Sequence, residues 1–142
     1  FLAAQINLNC NSLLMKGTKV SDLITISGDV HHIFPRNYLK KNGIDNKTKY
    51  NQVANYIYLD TQVNKAIGDD PPSVYFAKVQ EQCGTKAITL GNISDEEMLY
   101  RNLEENSIPQ NIVSMDISDY ESFLQERRKL MAKLMQRYYQ EL

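Results

Sequence analysis

The two histidines of the chain are neighbours, His31 and His32, and two asparagines follow them at Asn55 and Asn64. An unperturbed histidine titrates at about pH 6.5, so at neutral pH it can take a proton from a nucleophilic water. An imidazole nitrogen and an amide oxygen are also acceptable ligands for a divalent cation. Together these residue types suit the metal-assisted hydrolysis of a phosphodiester, which needs a base, charge neutralisation and help for the leaving oxygen.

Each of these residues also has an ordinary structural interpretation when it is taken alone. A single histidine is more often a satisfied structural residue than a ligand. Asn55 alone is typical of a turn or a strand edge, and Asn64 inside a short helix carries no signal. The hypothesis of a metal-dependent nuclease therefore depends on the combination of the four residues, with their order and spacing.

The first part of the region that holds these residues is predicted to be a strand followed by a short helix. Residues 30–34 are expected to be extended, because a proline at position 35 disfavours helical backbone at the residue before it. Pro35 is well placed as the first residue of a helix over 36–41, which Asn42 and Gly43 would end in a left-handed conformation.

The second part is predicted to be a strand that leads directly into a helix. Residues 55–59 form the second strand, with Ile57 and Leu59 on one face. Asp60 can then cap a helix over 61–68, which carries Asn64 near its middle. The core of the chain is therefore expected to span about residues 29–68. It would consist of a strand, a connecting segment that we call the excursion, a second strand and a helix.

A strand places successive side chains on opposite faces, so His31 and His32 should point apart. They can still flank one phosphate if the metal and the base lie on different sides of it. Asp29 has the same parity as His31. We therefore predict Asp29 as an outer-shell partner that receives the second nitrogen of that imidazole.

The N-terminal residues and the excursion give weaker signals. We expect an opening helix, a turn around Gly17 and a short apolar segment over 20–26. That segment is either a strand, because its residues are β-branched, or a helix capped by its Ser-Asp pair. Residues 27–29 read as a turn and the polar residues 44–52 as a loop.

Helices are predicted for the C-terminal half. The first runs over 73–82, and capping boxes at 94–97 and 118–121 open two more, the last of them long. We expect the apolar stripe of this last helix to pack on the core, with an aromatic-lined binding face as the alternative. The stripe consists of Ile117, Tyr120, Phe123, Leu124, Leu130, Leu134 and Tyr138.

Composition and charge fit one globular domain of 142 residues, with 42% hydrophobic and 23% charged residues. The net charge is only −1, but residues 36–49 carry five cations against one acid and residues 95–105 carry five acids against one cation. The basic segment suits a polyanionic substrate, or it is simply a solvated face. The acidic segment should face away from that substrate.

The cysteines and the N-terminal sequence bear on the compartment. Cys10 and Cys83 form no CxxC pair, so we expect buried free thiols in a cytoplasmic protein rather than a disulfide. Polar residues interrupt the uncharged first 15 residues too often for a membrane span, and no basic segment indicates a secretory signal. Because the chain begins at Phe1, we expect it to be a piece of a longer polypeptide.

His32, Asn55 and Asn64 resemble the three positions of the HNH, or ββα-metal, endonuclease motif, with asparagine in the third place. The wider sequence resembles a narrower group, the C-terminal nuclease domain of GmrSD-type restriction endonucleases. The similarity covers most of the chain from about residue 29 onward. It is carried by residues 31–35, 38–41, 50–56, 64–68, 72–76 and 120–128.

The resemblance implies a role for each motif residue. His32 would be the general base, Asn64 a metal ligand, and Asn55 the residue that ties the loop between the strands and helps to orient the base. His31 stands where many HNH enzymes have an aspartate ligand. One divalent ion is implied, with Mg²⁺ or Mn²⁺ favoured, while the imidazole also suits Ni²⁺, Co²⁺ or Zn²⁺. The implied phosphate contacts are Arg36, Lys40, Lys41 and Lys65.

The expected fold is thus α+β and mostly helical, with a ββα-metal core, helices over 1–28 and 73–142 around it, and a long C-terminal helix. The expected function is that of a DNA endonuclease domain from a bacterial restriction or phage-defence protein. Its partners would be DNA and an N-terminal regulatory, nucleotide-hydrolysing domain, with no membrane. The alternative is a catalytically silent DNA-binding or protein-interaction module that keeps the fold.

Overall fold

The computed structural model describes residues 1–25 and 28–142 and is α+β and mostly helical, as predicted. Two strands, β1 (Gly28–His32) and β2 (Tyr56–Asp60), form an antiparallel sheet. Short 3₁₀ helices cover Val53–Asn55, Gln110–Ser114 and Ile117–Asp119. The α-helices are α1 (Leu2–Asn7), α2 (Val20–Thr25), α3 (Arg36–Lys41), α4 (Lys47–Tyr50), α5 (Thr61–Ile67), α6 (Pro72–Thr85), α7 (Glu96–Glu105) and α8 (Tyr120–Gln140).

The sheet is short and is covered on one face. β2 alternates as predicted, with Ile57 and Leu59 buried between half-buried neighbours. The register pairs His32 with Tyr56 and His31 with Ile57. Both histidines therefore lie at the end of β1 next to the start of β2.

Strand β1 begins earlier than predicted. Gly28 and Asp29 were expected to form part of a turn, but they pair with Asp60 and Leu59 as strand residues. Glycine at position 28 leaves room for the ring of Tyr58, because a Cβ there would lie 2.7 Å from a ring carbon and would displace it. The Ser27 part of the predicted turn, like the end of the segment over 20–26, lies outside the described residues. The described part of that segment is helix α2, so the helical alternative holds.

Helix α5 starts directly at the end of β2, as the Asp60 signal predicted. The Asp60 carboxylate accepts hydrogen bonds from the backbone N–H groups of Gln62 at 2.9 Å and Val63 at 3.2 Å. Val63 and Ile67 are buried, and α5 contacts both strands. Asn64 therefore sits on a helix that is fixed against the sheet.

The excursion between the strands is more ordered than predicted. α3 spans residues 36–41 as expected, with Gly43 at φ +91° after it, although Pro35 is its N-cap and not its first residue. Residues 44–52 are not simply a loop, because the Asn46 side chain caps the one-turn helix α4 by accepting from Thr48 N–H. A local side-chain cap of this kind allows a polar segment to form a helical turn.

The C-terminal helices form with small shifts at their ends. α6 extends to Thr85, beyond the predicted residue 82. Asp95, and not Ser94, caps α7. A capping box between Asp116 and Asp119 opens the 3₁₀ turn before α8, in place of the predicted box at 118–121.

The stripe of α8 packs on the core at its N-terminal half. Phe123 and Tyr120 are buried against Phe34, with ring centroids 5.0 and 5.3 Å away, and Leu124 and Met131 are also buried. Further along, Leu130, Leu134 and Tyr138 are only half-buried. Core packing is therefore the main role of the stripe, as predicted.

The state of the two cysteines is as predicted. Cys10 and Cys83 are buried free thiols. Burial, with a smaller contribution from Glu105, raises the pKa of Cys10 to about 11, so this thiol is not a nucleophile at neutral pH. Within residues 1–25 and 28–142, no helix is both long and apolar enough to span a bilayer.

Candidate functional site

His31 and His32 point to opposite sides of β1, as the period of a strand requires. His31 is only 4% exposed and faces α5, whereas His32 is half-buried and faces the excursion. Both residues nevertheless line one cleft of about 290 Å³ at the end of the strand. The cleft is also lined by Asn64 and by Arg36 at the start of α3.

On the buried side, the imidazole of His31 is hydrogen bonded to Asn64. His31 Nδ1 lies 2.8 Å from Asn64 Oδ1, and Asn64 Nδ2 donates to Asp29 Oδ2 at 3.3 Å. An amide oxygen only accepts, so the proton of His31 is on Nδ1 in this arrangement. His31 Nε2 is buried and has no hydrogen-bond partner among the described residues.

Burial keeps His31 neutral. It lowers the pKa of this histidine to about 4, against a small raising effect of the Asn64 hydrogen bond and a further lowering by His32. A neutral imidazole is the form that binds a cation. His31 is therefore neutral throughout the neutral pH range, with its proton on Nδ1 and its lone pair on Nε2.

An ion held by His31 Nδ1 and Asn64 Oδ1 would have to replace the hydrogen bond between them, with the Nδ1 proton moving to Nε2, which has no other partner among the described residues. Ligands of Mg²⁺ lie at about 2.0–2.1 Å in octahedral geometry, which puts adjacent ligand atoms about 3 Å apart. His31 Nδ1 and Asn64 Oδ1 are 2.8 Å apart. No cluster of three or more histidine, cysteine or acidic side chains suited to a metal occurs in the described part of the chain. An ion bound by this imidazole–amide pair would take its other ligands from water or substrate.

The predicted role of Asp29 is wrong in its partner. Asp29 does not receive the second nitrogen of His31; its carboxylate instead accepts from the amide of Asn64. The parity argument placed Asp29 on the correct face, but Asn64 lies between the two side chains. Asp29 therefore orients the amide so that Asn64 Oδ1 points to His31.

On the other side of β1, His32 is held by Asn51. His32 Nε2 lies 3.0 Å from Asn51 Oδ1, and the ring of His32 meets that of Tyr56 edge-on at 4.8 Å. Because the amide oxygen accepts, Nε2 carries the proton and Nδ1 keeps its lone pair. The nitrogen of His32 that can accept a proton is therefore Nδ1.

Asn55 joins the two strands but does not touch either histidine. It is fully buried, and its side chain accepts from Phe34 N at 2.8 Å and donates to Phe34 O at 3.1 Å. Its own backbone carbonyl accepts from Ile33 N at 2.8 Å. Asn55 therefore fixes the backbone immediately after His32 and ties the start of the segment between the strands to the entry of β2.

Two residues that contact the histidines were not predicted. Asn51 holds His32, and Tyr75 of α6 meets the ring of His31 edge-on at 6.2 Å while its hydroxyl donates to Ile33 O at 2.7 Å. Burial raises the pKa of Tyr75, so the hydroxyl remains a donor. Both lie in segments that carry the family resemblance, but no spacing pattern marks them.

The four predicted phosphate contacts differ in position. Arg36 lines the cleft, and Lys40 Nζ lies 5.5 Å from the ring centroid of Tyr50, which borders His32. Lys41 and Lys65 are exposed and do not line the cleft. A larger cavity of about 810 Å³ between the N-terminal segment, α7 and α8 contains none of the predicted site residues.

Comparison with protein-family models, with curated proteins and with solved structures gave no match to this chain.

Proposed function

We propose that this chain is a metal-dependent DNA endonuclease domain of the HNH, or ββα-metal, type. One observation carries the proposal: an imidazole and an amide, those of His31 and Asn64, are held together by a 2.8 Å hydrogen bond and line a cleft that His32 also lines. A metal site next to an imidazole with an available lone pair, that of His32, provides the groups that metal-assisted hydrolysis of a phosphodiester needs.

The order of the elements supports the ββα-metal assignment. β1 carries the two histidines, β2 pairs with it in antiparallel, and α5 follows β2 without a loop. Asn64 on α5 faces β1, so the ion would lie between the helix and the strand. Asn55 at the entry to β2 ties the strands together in the way the motif requires.

His32 would act as the general base. Asn51 Oδ1 accepts from its Nε2, so the lone pair of Nδ1 is available to take the proton of the attacking water. The imidazolium that forms keeps its hydrogen bond to Asn51, which stabilises the charge as it develops. A cation bound by His31 and Asn64 would polarise the phosphate and stabilise the leaving oxygen. Arg36 in the same cleft supplies a further positive charge to the phosphate.

DNA is the proposed substrate because the cations lie near the base. Lys40 is stacked on Tyr50, which borders His32, and the surrounding segment over residues 36–49 is basic. We further propose that the domain belongs to a bacterial restriction or phage-defence protein of the cytoplasm. Its remaining partner would be an N-terminal nucleotide-hydrolysing domain that regulates cleavage.

Cleavage of supercoiled plasmid DNA tests the proposal. The purified chain is incubated with Mg²⁺, Mn²⁺, Co²⁺, Ni²⁺ or Zn²⁺ in turn, and with EDTA, alongside His32→Ala as the matched control for contaminating nucleases. We expect cutting by the wild type that EDTA abolishes and that His32→Ala lacks. Binding of the plasmid without cutting in every metal would instead identify a catalytically silent module.

A further inference from the structure

Arg127 on α8 is the largest side chain that is fully buried in the described residues. Burial lowers its pKa to about 9, so the guanidinium is still charged at neutral pH. No carboxylate forms a salt bridge with it anywhere in the described ranges. A charge buried without a counterion is costly, and an apolar side chain of similar volume would usually be at least as stable. Packing alone therefore does not account for an arginine here.

The guanidinium is bound by backbone carbonyls on both sides of Asn55. Arg127 Nη1 donates to Ala54 O at 2.9 Å and to Tyr56 O at 2.6 Å. Nη2 donates to Asn106 O at 3.3 Å, and the ring of Phe1 lies 5.5 Å from the guanidinium carbon. The side chain thus reaches from the C-terminal helix to the entry of β2.

These contacts lead to both histidines through a short series of bonds. Asn55, between the two bound carbonyls, holds Phe34 by two side-chain hydrogen bonds. Tyr56, the second bound residue, pairs with His32 across the sheet and packs its ring against the imidazole. Fixing residues 54–56 therefore fixes the backbone after His32 and one wall of its side-chain position.

We propose that Arg127 is a positioning residue, which holds the entry to β2 so that Asn55 and Tyr56 keep His32 aligned for the reaction. The inference rests on the proposed nuclease function, because its consequence for rate requires that the chain cuts DNA. The structural part of the inference, that the environment of Asn55 and His32 depends on Arg127, does not depend on the nuclease function.

The test compares Arg127→Met, Arg127→Lys and a control, Met131→Ala. Methionine keeps the apolar stem but donates no hydrogen bond to the three carbonyls that Arg127 binds. Lysine keeps the charge but has one nitrogen in place of the two guanidinium nitrogens that bind these carbonyls. Met131 lies one turn further along the buried face of α8 and is apolar, so its truncation destabilises the same helix without removing a hydrogen bond to residues 54–56. Melting temperatures show how far the control matches the loss of stability.

Single-turnover cleavage is measured per folded molecule, below the melting range of every variant. We expect Arg127→Met to slow the chemical step by about tenfold to 100-fold, with half-saturating DNA little changed, because a small misplacement of a catalytic group has effects of this size. Arg127→Lys should recover part of the rate, and Met131→Ala should cleave like the wild type. A wild-type rate in Arg127→Met, or an equal loss in Met131→Ala, would overturn the inference. Should Arg127→Met fail to fold, a wild-type rate in Arg127→Lys would overturn it.

Nuclear magnetic resonance separates this inference from the proposed function. The side-chain amide signals of Asn55 and the ring nitrogen signals of His32 are recorded for each variant. We expect both sets to shift in Arg127→Met and to stay in place in Met131→Ala; unshifted signals in Arg127→Met would contradict the positioning role. If the wild type cuts no DNA, the proposed nuclease function fails, and these signals alone decide the role of Arg127.

Discussion

The two sides of strand β1 give neighbouring histidines opposite environments. On the α5 side, His31 is nearly inaccessible, bonded through Nδ1 to Asn64 and kept neutral by burial. On the side of the excursion, His32 is half-buried, bonded through Nε2 to Asn51 and bordered by tyrosine rings. The same residue type therefore uses a different ring nitrogen for its hydrogen bond on each side of the strand.

This difference suits a division of labour between the two residues. A ligand benefits from a rigid, dry position that keeps it unprotonated, whereas a base needs access to water and a free lone pair. Neither property is set by the residues themselves, since both are histidines one position apart. The packing of α5 on one side and the course of residues 47–52 on the other create the distinction.

The largest expected effect is that of His32→Ala on the chemical step. Loss of a general base lowers the rate by about 100-fold to 10,000-fold. The fold and the affinity for DNA should change little, because His32 is half-buried and acts in the transition state rather than in binding. Single-turnover cleavage, thermal melting and DNA binding by fluorescence anisotropy check the three parts. Added imidazole should restore some activity, and a wild-type rate without it would remove His32 from the role of base.

Substitutions of His31 should act on the metal instead. His31→Ala is expected to weaken metal binding by more than the roughly tenfold to 100-fold typical of losing an outer-shell partner, since one of the two proposed protein ligands is lost. His31→Asp replaces the imidazole with a carboxylate, so this variant should remain active and shift its preference towards Mg²⁺ over Ni²⁺ or Co²⁺. Calorimetric titration of each metal measures both effects.

Asp29→Ala serves as the matched control for the His31 variants, because Asp29 contacts Asn64 and not His31. It should weaken metal binding less than His31→Ala does. If Asp29→Ala lost the metal while His31→Ala kept it, the ligand would be the carboxylate and the assignment of His31 would be wrong.

The burial of His31 also predicts a pH dependence of stability. Between pH 6.5 and about 4 the unfolded chain binds a proton at this residue and the folded chain does not, so the free energy of unfolding falls as the pH is lowered through this range. The change in pKa from 6.5 to about 4 corresponds to about 3 kcal/mol. His31→Asn, which cannot titrate, should lose about 3 kcal/mol less over the same range. Urea unfolding in EDTA measures the difference, and parallel curves for the two proteins would contradict the buried state of His31.

The smallest expected effect concerns DNA binding on the His32 side. Replacing Lys40 and Lys41 together with alanine should reduce the salt dependence of binding by about one to two phosphate contacts. Lys133→Ala with Arg137→Ala is the matched control, because it also removes two cations but from the larger cavity away from the histidines. Anisotropy titrations over a range of salt concentrations supply the slopes. Equal slopes for the wild type and the Lys40 and Lys41 variant would move the DNA surface elsewhere.

The sequence predicted those parts of the fold that local signals determine. Asp60 is followed by α5 because a carboxylate cap is a contact between near neighbours, and α3 ends before Gly43 for a similar local reason. Helix α4 was missed because the polar composition of residues 44–52 concealed the cap that Asn46 provides. The turn predicted at Gly28 was wrong because glycine has another reason to be there. It leaves room for the ring of Tyr58, and that contact is tertiary and not local.

The positions of the site residues were less predictable than their identities. The hydrogen bond between His31 and Asn64 joins residues 33 positions apart. The hydrogen bonds of Arg127 to Ala54 and Tyr56 join residues 73 and 71 positions apart. No local pattern encodes such contacts. One signal was available for Arg127, since it continues the helical spacing of the buried residues Leu124 and Met131 and is the charged member of that face.

The most direct test of the division between the histidines is the metal dependence of single-turnover cleavage by His31→Ala and His32→Ala. Activity of His31→Ala should return in part as the metal concentration rises, because Asn64 and the open coordination positions remain. Activity of His32→Ala should stay low at every metal concentration, because metal does not replace a base. Recovery of His32→Ala by metal, with none for His31→Ala, would reverse the assignment of the two residues.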